Sequence, residues 1–266
     1  MEKKIEAPKY ALEVPVQATR ILLHSCCAPC SGAVIECMLE NRLEPTVFYF
    51  NPNIFPQTEY ERRKAENIRF VESLHLPFID GDYDHEGWKV AVKGLENEPE
   101  RGRRCLTCFR IRMAKTAQYA ATEGFIVFAT TLGASRWKDL EQIALAGHEA
   151  ASVYPGLTFW AQNWRKGGLS DRRNELIRLH GFYNQSWCGC EYPPPERAEG
   201  GSHTVKYPPL EGAGGGSRTV KYPPLEGAGG GSYTVKYPPP ERAGGGSHTV
   251  KYPPLEGAGG GSRTVN

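Results

Sequence analysis

The sequence lacks a long apolar run, and residues 1–192 lack an excess of charge of one sign. No stretch approaches the roughly 18 apolar residues that a membrane-spanning helix needs. Residues 1–18 mix lysine, glutamate and proline instead of placing an apolar segment after a basic start. We therefore expect a cytoplasmic protein without a secretion signal. Lys and Arg equal Asp and Glu in number over residues 1–192, so a nucleic-acid contact would need local charge clusters.

Residues 193–266 lack the apolar content of a folded core. A fifteen-residue unit of the type Ser-x-Thr-Val-Lys-Tyr-Pro-Pro-Leu-Glu-Gly-Ala-Gly-Gly-Gly repeats there, with tyrosines at positions 192, 207, 222, 237 and 252. The few apolar residues of each unit cannot offset the entropy of ordering the chain. We predict a disordered repeat tail, and the alternative is a small binding array of Tyr-Pro-Pro motifs.

Residues 20–192 alternate between apolar strand patterns and amphipathic helix patterns. Strands are predicted at Arg20–His24, Thr46–Phe50, Pro77–Asp80, Phe125–Thr130 and Leu157–Trp160. Helices are predicted at 31–41, 57–75, 107–123, 138–151 and 171–180. The alternation favours one α/β domain, Rossmann-like or HUP-like, in which helices flank a mainly parallel sheet. Residues 1–19 precede this domain as an extension.

Seven of the eight cysteines fall into three clusters. The clusters are Cys26-Cys27-Ala-Pro-Cys30, Cys105-Leu-Thr-Cys108 and Cys188-Gly-Cys190. A Cys-x-x-Cys spacing lets two sulfurs bind one metal, and it occurs twice. The first cluster follows a predicted strand, at the edge where α/β sheets bind ligands. In a cytoplasmic protein this favours one metal or redox site over structural disulfides.

The number of cysteines argues against a purely structural zinc ion. Tetrahedral zinc takes four thiolates, and three cysteines would be left over. A cubane with a second metal, or a cubane with a redox dithiol, uses all seven. Cys188 and Cys190 suit either role, because their spacing permits both a strained disulfide and metal chelation. Cys37 lies two helical turns beyond Cys30 in an apolar stretch, and we interpret it as core packing.

Six short motifs occur in order along residues 20–192. They are Leu22-Leu-His-Ser-Cys-Cys-Ala-Pro-Cys-Ser31, Phe50-Asn-Pro-Asn-Ile54, Gly81-Asp-Tyr-Asp84, Arg104-Cys-Leu-Thr-Cys-Phe-Arg110, Thr130-Thr-Leu132 and Cys188-Gly-Cys190. Together they resemble the QueH family, the cobalamin-independent epoxyqueuosine reductases. The repeats after residue 192 are foreign to the family pattern.

The resemblance implies an oxidoreductase that acts on tRNA. It would reduce the epoxide of epoxyqueuosine at the wobble position to give queuosine, the last step of queuosine biosynthesis. The family is associated with a [4Fe–4S] cluster and with a nearby additional iron or a redox-active thiol pair. Neither the residues nor the resemblance identifies the electron donor.

The resemblance also implies roles for the cysteines. The preferred cluster ligands are Cys26, Cys27, Cys105 and Cys108. Cys188 and Cys190 would then be a redox pair or the ligands of a second metal, and Cys30 suits either site. Asp82, in the Gly-Asp-Tyr-Asp turn, is the candidate for an additional carboxylate ligand, with a solvated turn or helix cap as the alternative.

Removing the oxygen of an epoxide takes two electrons, whereas a cubane passes one at a time. A second electron store nearby is therefore chemically sensible. The departing oxygen also needs a Lewis acid or a proton donor. The candidate donors in the sequence are His24, Asp82, Tyr83 and Asp84. For His24 the alternative is a strand-end histidine that bonds to the backbone.

A positively charged stretch offers a contact for tRNA phosphates. Between residues 101 and 115 the sequence has no acidic residue and six basic ones, Arg101, Arg103, Arg104, Arg110, Arg112 and Lys115. A smaller group comprises Arg165, Lys166, Arg172 and Arg173. Tyr183 and Trp187, near the last cysteines, are candidates for stacking on an extruded base, with ordinary packing as an equal alternative.

Two other functions fit part of the pattern. A PP-loop tRNA thiolation enzyme also combines an α/β fold with cysteine clusters, but it carries a Ser-Gly-Gly-x-Asp-Ser loop for ATP phosphates. Here Cys30-Ser-Gly-Ala-Val-Ile-Glu36 has one glycine and no Asp-Ser pair. The other alternative is a zinc-stabilised tRNA-binding module without catalysis.

Overall fold

The computed structural model describes residues 9–192 in full and the backbone of residues 218–222 and 233–237. The chain divides into two compact units, Met1–Gly201 and Ser202–Asn266. The first unit holds the whole predicted domain. None of the described helices is both long and apolar enough to cross a membrane.

Strands and helices alternate through residues 20–180. The strands are β1 (Arg20–His24), β2 (Glu44–Tyr49), β3 (Phe78–Asp80), β4 (Val127–Thr130) and β5 (Thr158–Trp160). The helices are α1 (Ala28–Glu40), α2 (Gln57–Ser73), α3 (His85–Ala91), α4 (Arg103–Thr122), α5 (Leu140–Ser152) and α6 (Leu169–His180). A short 3-10 helix over Thr131–Ala134 follows β4. All of the strands and helices predicted from the sequence are present, with bounds shifted by a few residues.

The five strands form one parallel sheet in the order β3-β2-β1-β4-β5. The predicted α/β fold with a mainly parallel sheet is therefore confirmed. The chain runs outward from β1 to β3 and then returns to β4 on the other side of β1. Strand order thus reverses between β1 and β4, and α/β sheets bind ligands beyond the carboxyl ends of strands at such a point. The loops after His24 and Thr130 lie there.

Helix α3 has no counterpart in the sequence prediction. It spans fewer than two turns, so its apolar period is too short to detect. The Asp84 carboxylate caps it by accepting from the backbone N–H of Gly87 at 2.9 Å, which is a common role for aspartate at a helix start. The helix buries Trp88 to 1 % exposure.

The N-terminal extension is anchored where it is described. The side chain of Asn41, at the end of α1, donates to the Tyr10 carbonyl at 2.9 Å and accepts from the Leu12 N–H at 2.9 Å. The segment around residue 10 therefore packs on the domain, and residues 1–8 lie outside the described residues.

Two segments of the repeats pair as an antiparallel ribbon in the second unit. Strand β6 (Arg218–Tyr222) pairs with β7 (Tyr233–Tyr237), with Val220 opposite Val235. The composition of the repeats predicts no regular structure there, but the Thr-Val-Lys-Tyr part of each unit has residues that favour strands. The other predictions for residues 193–266 lie outside the described residues.

His24 joins three strands at the carboxyl edge of the sheet. Its side chain is fully buried, with Nε2 3.0 Å from the Phe50 carbonyl and Nδ1 2.8 Å from the Thr130 hydroxyl. Neutral His24 satisfies both contacts when it donates through Nε2 and accepts from Thr130 at Nδ1, and the Arg112 Nε lies 3.4 Å from the same Nε2. Burial, helped by the nearby Arg112 charge, lowers the pKa of His24 to about 3. These contacts agree with the alternative interpretation of His24, a strand-end histidine that bonds to the backbone instead of a proton donor.

Replacing His24 by alanine should destabilise the fold. His24→Ala removes a buried ring and leaves the Phe50 carbonyl and Thr130 hydroxyl without their partner, so we expect a loss of about 2–4 kcal/mol in the free energy of unfolding. Urea denaturation measures it. His148→Ala, on an exposed position of α5, is the control and should change stability by less than about 0.5 kcal/mol. Equal stabilities for the two variants would contradict the role of His24.

Candidate metal centre

The first cysteine cluster lies where β1 passes into α1. Cys27 is the N-cap of α1 and Cys30 follows in its first turn. The Cys26 and Cys27 sulfurs are 3.8 Å apart, and those of Cys26, Cys27 and Cys30 all lie within 4.8 Å of one another. Each side chain is at most 7 % exposed. Within the described residues, this trio is the one group of three or more His, Cys, Asp or Glu close enough to share a metal ion.

The surroundings of the trio favour one deprotonated sulfur, that of Cys26. Hydrogen bonding to Cys26, together with burial, raises the pKa of Cys27 well above its usual value and that of Cys30 to about 11. The N-terminus of α1 places positive partial charge beside the thiols, which stabilises thiolates. The hydroxyl of Thr131, just after β4, lies 3.5 Å from the Cys26 sulfur and accepts from the Cys26 N–H at 3.2 Å. The trio therefore lies at the reversal of strand order between β1 and β4.

The second cluster lies in the first two turns of α4. This helix begins at Arg103 and not at the predicted residue 107, so both Cys105 and Cys108 are helical. Cys108 is buried and Cys105 is partly exposed. The backbone N–H of Arg101, which has a φ of 66°, donates to the Cys105 sulfur at 3.3 Å. Burial raises the pKa of both thiols, that of Cys105 to about 11.

The third cluster, Cys188-Gly-Cys190, comes from the C-terminal end of the domain and packs against residues 54 and 55. Cys190 forms an isolated antiparallel bridge with Ile54, and the Phe55 N–H donates to the Gly189 carbonyl at 2.8 Å. Gly189 has a φ of 89°, and a Cβ on it would lie 2.9 Å from the Ile54 side chain. Glycine is therefore required between the two cysteines.

One cavity joins the second and third clusters. Its lining includes Cys105, Cys108, Cys188, Cys190, Asn53, Trp88, Arg104, Arg112, Trp137 and Lys138. Cys26, Cys27 and Cys30 are not among the described lining residues. Electrostatic interactions connect them to the cavity, because Lys138 interacts with Cys26, Cys30 and Cys188. The structure therefore arranges the seven predicted cysteines as a buried trio beside a cavity lined by the other four.

Two cations that line the cavity, the buried Arg112 and the partly exposed Lys138, have no carboxylate partner in residues 9–192. The Arg112 side chain is 2 % exposed and donates to the Asn51 side-chain oxygen. Burial lowers the pKa of Lys138, but the negative charges of Cys26, Cys188 and Cys30 outweigh that effect and the pKa is raised. In residues 9–192 neither cation forms an ion pair with Asp or Glu. Enclosed cations need anionic partners, and here the sulfurs supply them.

Each group of sulfurs contains one acidic thiol. Hydrogen bonds from the Cys27 and Cys30 thiols hold the pKa of Cys26 well below its usual value. A hydrogen bond from Cys190 does the same for Cys188. Thiolates are the nucleophiles and the metal ligands of cysteine chemistry. One such sulfur is therefore available in the trio and another beside the cavity.

Cys37 lies apart from the other seven cysteines. It is 3 % exposed on α1, and its sulfur is 3.8 Å from both the Tyr10 carbonyl and the Asn41 side-chain nitrogen. This placement agrees with the prediction of core packing.

Asp82 lies in the turn after β3, at the carboxyl edge of the sheet. Its side chain is exposed, its φ is 72°, and its N–H donates to the Asp80 carboxylate at 3.1 Å. It is not among the described residues that line the cavity, whose acidic members are Glu100 and Asp139. Its role as a ligand stays a prediction.

The basic stretch 101–115 does not form one phosphate-binding face. Arg104 and Arg112 are buried, each at 2 % exposure. Ion pairs at 2.7 Å join Arg103 to Glu98 and Arg110 to Glu149. The turns of α4 direct these side chains to different sides, and the predicted contact of this stretch with tRNA phosphates stays a prediction.

The smaller basic group 165–173 is also engaged within the protein. Arg165 donates to the carbonyls of Gly133 at 3.1 Å and Lys138 at 2.6 Å, which holds the loop before α5. Arg172 pairs with Glu36 at 2.7 Å. Two of its four members therefore stabilise the fold.

The two aromatic residues near the last cysteines pack on α2. The Arg62 guanidinium lies 3.6 Å from the centre of the Tyr183 ring, and that of Arg63 lies 5.0 Å from the centre of the Trp187 ring. Packing, the alternative to base stacking, accounts for both contacts.

Sequence reasoning missed Lys138 and Trp88 as parts of the site. Lys138 follows the Thr130-Thr-Leu132 motif, and its position beyond the carboxyl end of β4 could have identified it. Trp88 lies on the unpredicted helix α3, and no sequence pattern connects it to the cysteines.

Comparison with known proteins identifies the family of this chain. The family model "Epoxyqueuosine reductase QueH" matches residues 21–196. The chain belongs to the QueH family. A QueH protein of Acinetobacter baylyi is 50 % identical over 185 residues, which cover 70 % of this chain and 85 % of that protein. A QueH protein of Haemophilus influenzae is 51 % identical over 181 residues, which cover 68 % of this chain and 74 % of that protein. A QueH protein of Thermotoga maritima is 34 % identical over 182 residues, which cover 67 % of this chain and 92 % of that protein.

Removing the Lys138 charge should make Cys188 less acidic. In Lys138→Met the thiolate loses a stabilising cation, so the pKa of Cys188 rises and its alkylation shifts to higher pH by about one unit. The rate of iodoacetamide modification of iron-free protein, measured by peptide mass spectrometry against pH, tests this. Lys166→Met removes a lysine charge from an exposed position and should leave the pH dependence of Cys188 alkylation unchanged. Superimposable profiles for wild type and Lys138→Met would contradict the charge pairing.

Proposed function

We propose that this protein is an epoxyqueuosine reductase that converts epoxyqueuosine in tRNA to queuosine. The observation that carries the proposal is the arrangement of seven cysteines around two cations at the carboxyl edge of β1 and β4, in a chain of the QueH family. The reaction breaks both C–O bonds of the epoxide, consumes two electrons and two protons, and releases the oxygen as water. An external reductant of unidentified nature supplies the electrons.

The residues of the site fit an iron–sulfur cluster. Cysteine thiolates are the ligands of such clusters, and a [4Fe–4S] cluster with four thiolates carries net negative charge. Arg112 and Lys138, which have no carboxylate partner in residues 9–192, offer the balancing positive charge. When bound, the cluster supplies one-electron transfer. As the family implies, the reaction needs no cobalamin.

We assign Cys26, Cys27, Cys105 and Cys108 as the cluster ligands, following the family resemblance. The close approach of the Cys30 sulfur to Cys26 and Cys27 makes Cys30 the first alternative ligand. All of these residues are thiols in the structure, so metal binding releases protons.

We assign Cys188 and Cys190 as the second electron store, with ligation of an additional iron as the other role. Both are free thiols, and the hydrogen bond between them makes Cys188 the more acidic one. Oxidation of this pair to a disulfide releases two electrons and two protons, the number that one epoxide consumes. The reductant then restores the dithiol.

The rim of the cavity supports tRNA as the partner. Trp137 lines the cavity and is 48 % exposed, and the Arg136 guanidinium lies 4.7 Å from the centre of its ring. Arg101 lines the cavity as well and donates to the carbonyls of residues 136 and 137 at 3.1 Å. An aromatic ring and cations at one opening suit an extruded base and its phosphates. A tRNA substrate implies a cytoplasmic site of action.

Nucleoside analysis tests the function directly. Anaerobically prepared protein and a chemical reductant are incubated with tRNA from cells that accumulate epoxyqueuosine, and the digested nucleosides are analysed by mass spectrometry. We expect conversion of epoxyqueuosine to queuosine, and at least a tenfold slower conversion with Cys105→Ala. Cys37→Ala removes a thiol that lies outside the site and should retain the wild-type rate. No conversion by iron-loaded wild type would contradict the function, and an unchanged rate in Cys105→Ala would contradict the ligand set.

We further propose that Asp82 contributes its carboxyl group to the reacting centre, as a metal ligand or as a proton donor. Asp82→Asn removes the charge and keeps a residue that tolerates positive φ, so the turn is preserved. We expect a loss of bound iron or at least a tenfold lower turnover. Iron content and nucleoside conversion measure the two effects. If both match the wild type, Asp82 has no part in the site and serves as a turn residue.

A further inference from the structure

Trp88 has a buried indole N–H group without a conventional hydrogen-bond acceptor. The side chain is 1 % exposed, and its Nε1 has no hydrogen bond within the described residues. The indole belongs to a small buried cluster with Val92 and Cys108. An N–H buried without a partner costs about 1–3 kcal/mol, so the placement calls for an acceptor.

The Cys108 side chain packs with Trp88 in this cluster, and both residues line the cavity. The sulfur of Cys108 is therefore the acceptor that the buried members of this cluster offer to the indole N–H. A neutral thiol is a weak acceptor, while an ionised sulfur is a much stronger one. The N–H is therefore placed for a deprotonated or metal-bound Cys108.

The surroundings of Trp88 hold the ring in one orientation. The indole stacks on His85, with ring centres 5.5 Å apart, and on Tyr192, with ring centres 5.8 Å apart. His85 in turn donates through Nδ1 to the Pro52 carbonyl at 2.7 Å. Stacking on two sides fixes the direction of the N–H before any ligand binds to Cys108.

We propose that Trp88 is a positioning residue of the redox centre, whose N–H donates to the Cys108 sulfur and raises the reduction potential of the centre. This inference rests on the proposed function, since it takes Cys108 to belong to that centre. Reduction adds negative charge, and a hydrogen bond to sulfur stabilises the more negative state, so hydrogen bonds are among the determinants of cluster potential.

A redox titration of anaerobically purified full-length protein tests the proposal. Trp88→Phe removes the N–H and keeps an aromatic ring, so we expect a more negative midpoint potential. At a fixed solution potential the ratio of reduced to oxidised centre should fall by about three- to tenfold, and tenfold is about 59 mV for a one-electron couple. Trp164→Phe is the matched control. Trp164 is also 1 % exposed, but its N–H donates to the Thr130 carbonyl at 3.0 Å, so its loss should leave the potential in place.

A second substitution separates the hydrogen bond from packing. Benzothienylalanine at position 88 has the shape of tryptophan with sulfur in place of the N–H, and it should reproduce the shift of Trp88→Phe even if that variant folds poorly. An iron-loaded wild type whose potential equals that of the benzothienylalanine protein would overturn the inference alone. A wild type that binds no iron would overturn the proposed cofactor and the inference with it.

Discussion

The site depends on a balance of charge between sulfur and two cations, of which Arg112 is buried and Lys138 is partly exposed. Arg112 and Lys138 lie among the cysteines, and no carboxylate of residues 9–192 pairs with them. Elsewhere in the same domain a buried cation has a conventional partner, as in the Arg63–Glu59 ion pair at 2.6 Å. Enclosed positive charge without an acid is stable when the neighbouring sulfurs are ionised or bind an anionic group. This constraint connects the fold to redox chemistry.

The topology explains why three distant motifs meet. Strand order reverses between β1 and β4, so the loops after these strands lie side by side, and they carry the first cysteine cluster and Lys138. Helix α4 brings its first two turns to the same place, and the bridge between Ile54 and Cys190 adds the last motif. The sheet therefore brings together cysteines from three distant segments of the chain.

Much of this arrangement could be predicted from the sequence, because its features are local and periodic. The apolar runs of β1 and β2 and the Cys-x-x-Cys spacings are properties of neighbouring residues. The orientation of the arginines in 101–115 depends on where α4 begins, four residues earlier than the predicted start. Pairings such as Arg110 with Glu149 and Trp88 with Cys108 depend on contacts between distant segments. Sequence periodicity carries no information on such contacts, so they could not be predicted from the sequence.

The proposed function requires that the cysteines hold an iron–sulfur centre instead of structural zinc. Quantitation of iron, acid-labile sulfide and zinc in the full chain, purified without oxygen, distinguishes the two. We expect about four or five iron per chain, with sulfide to match and broad visible absorption that bleaches on reduction. A colourless protein with one zinc and no sulfide would contradict it.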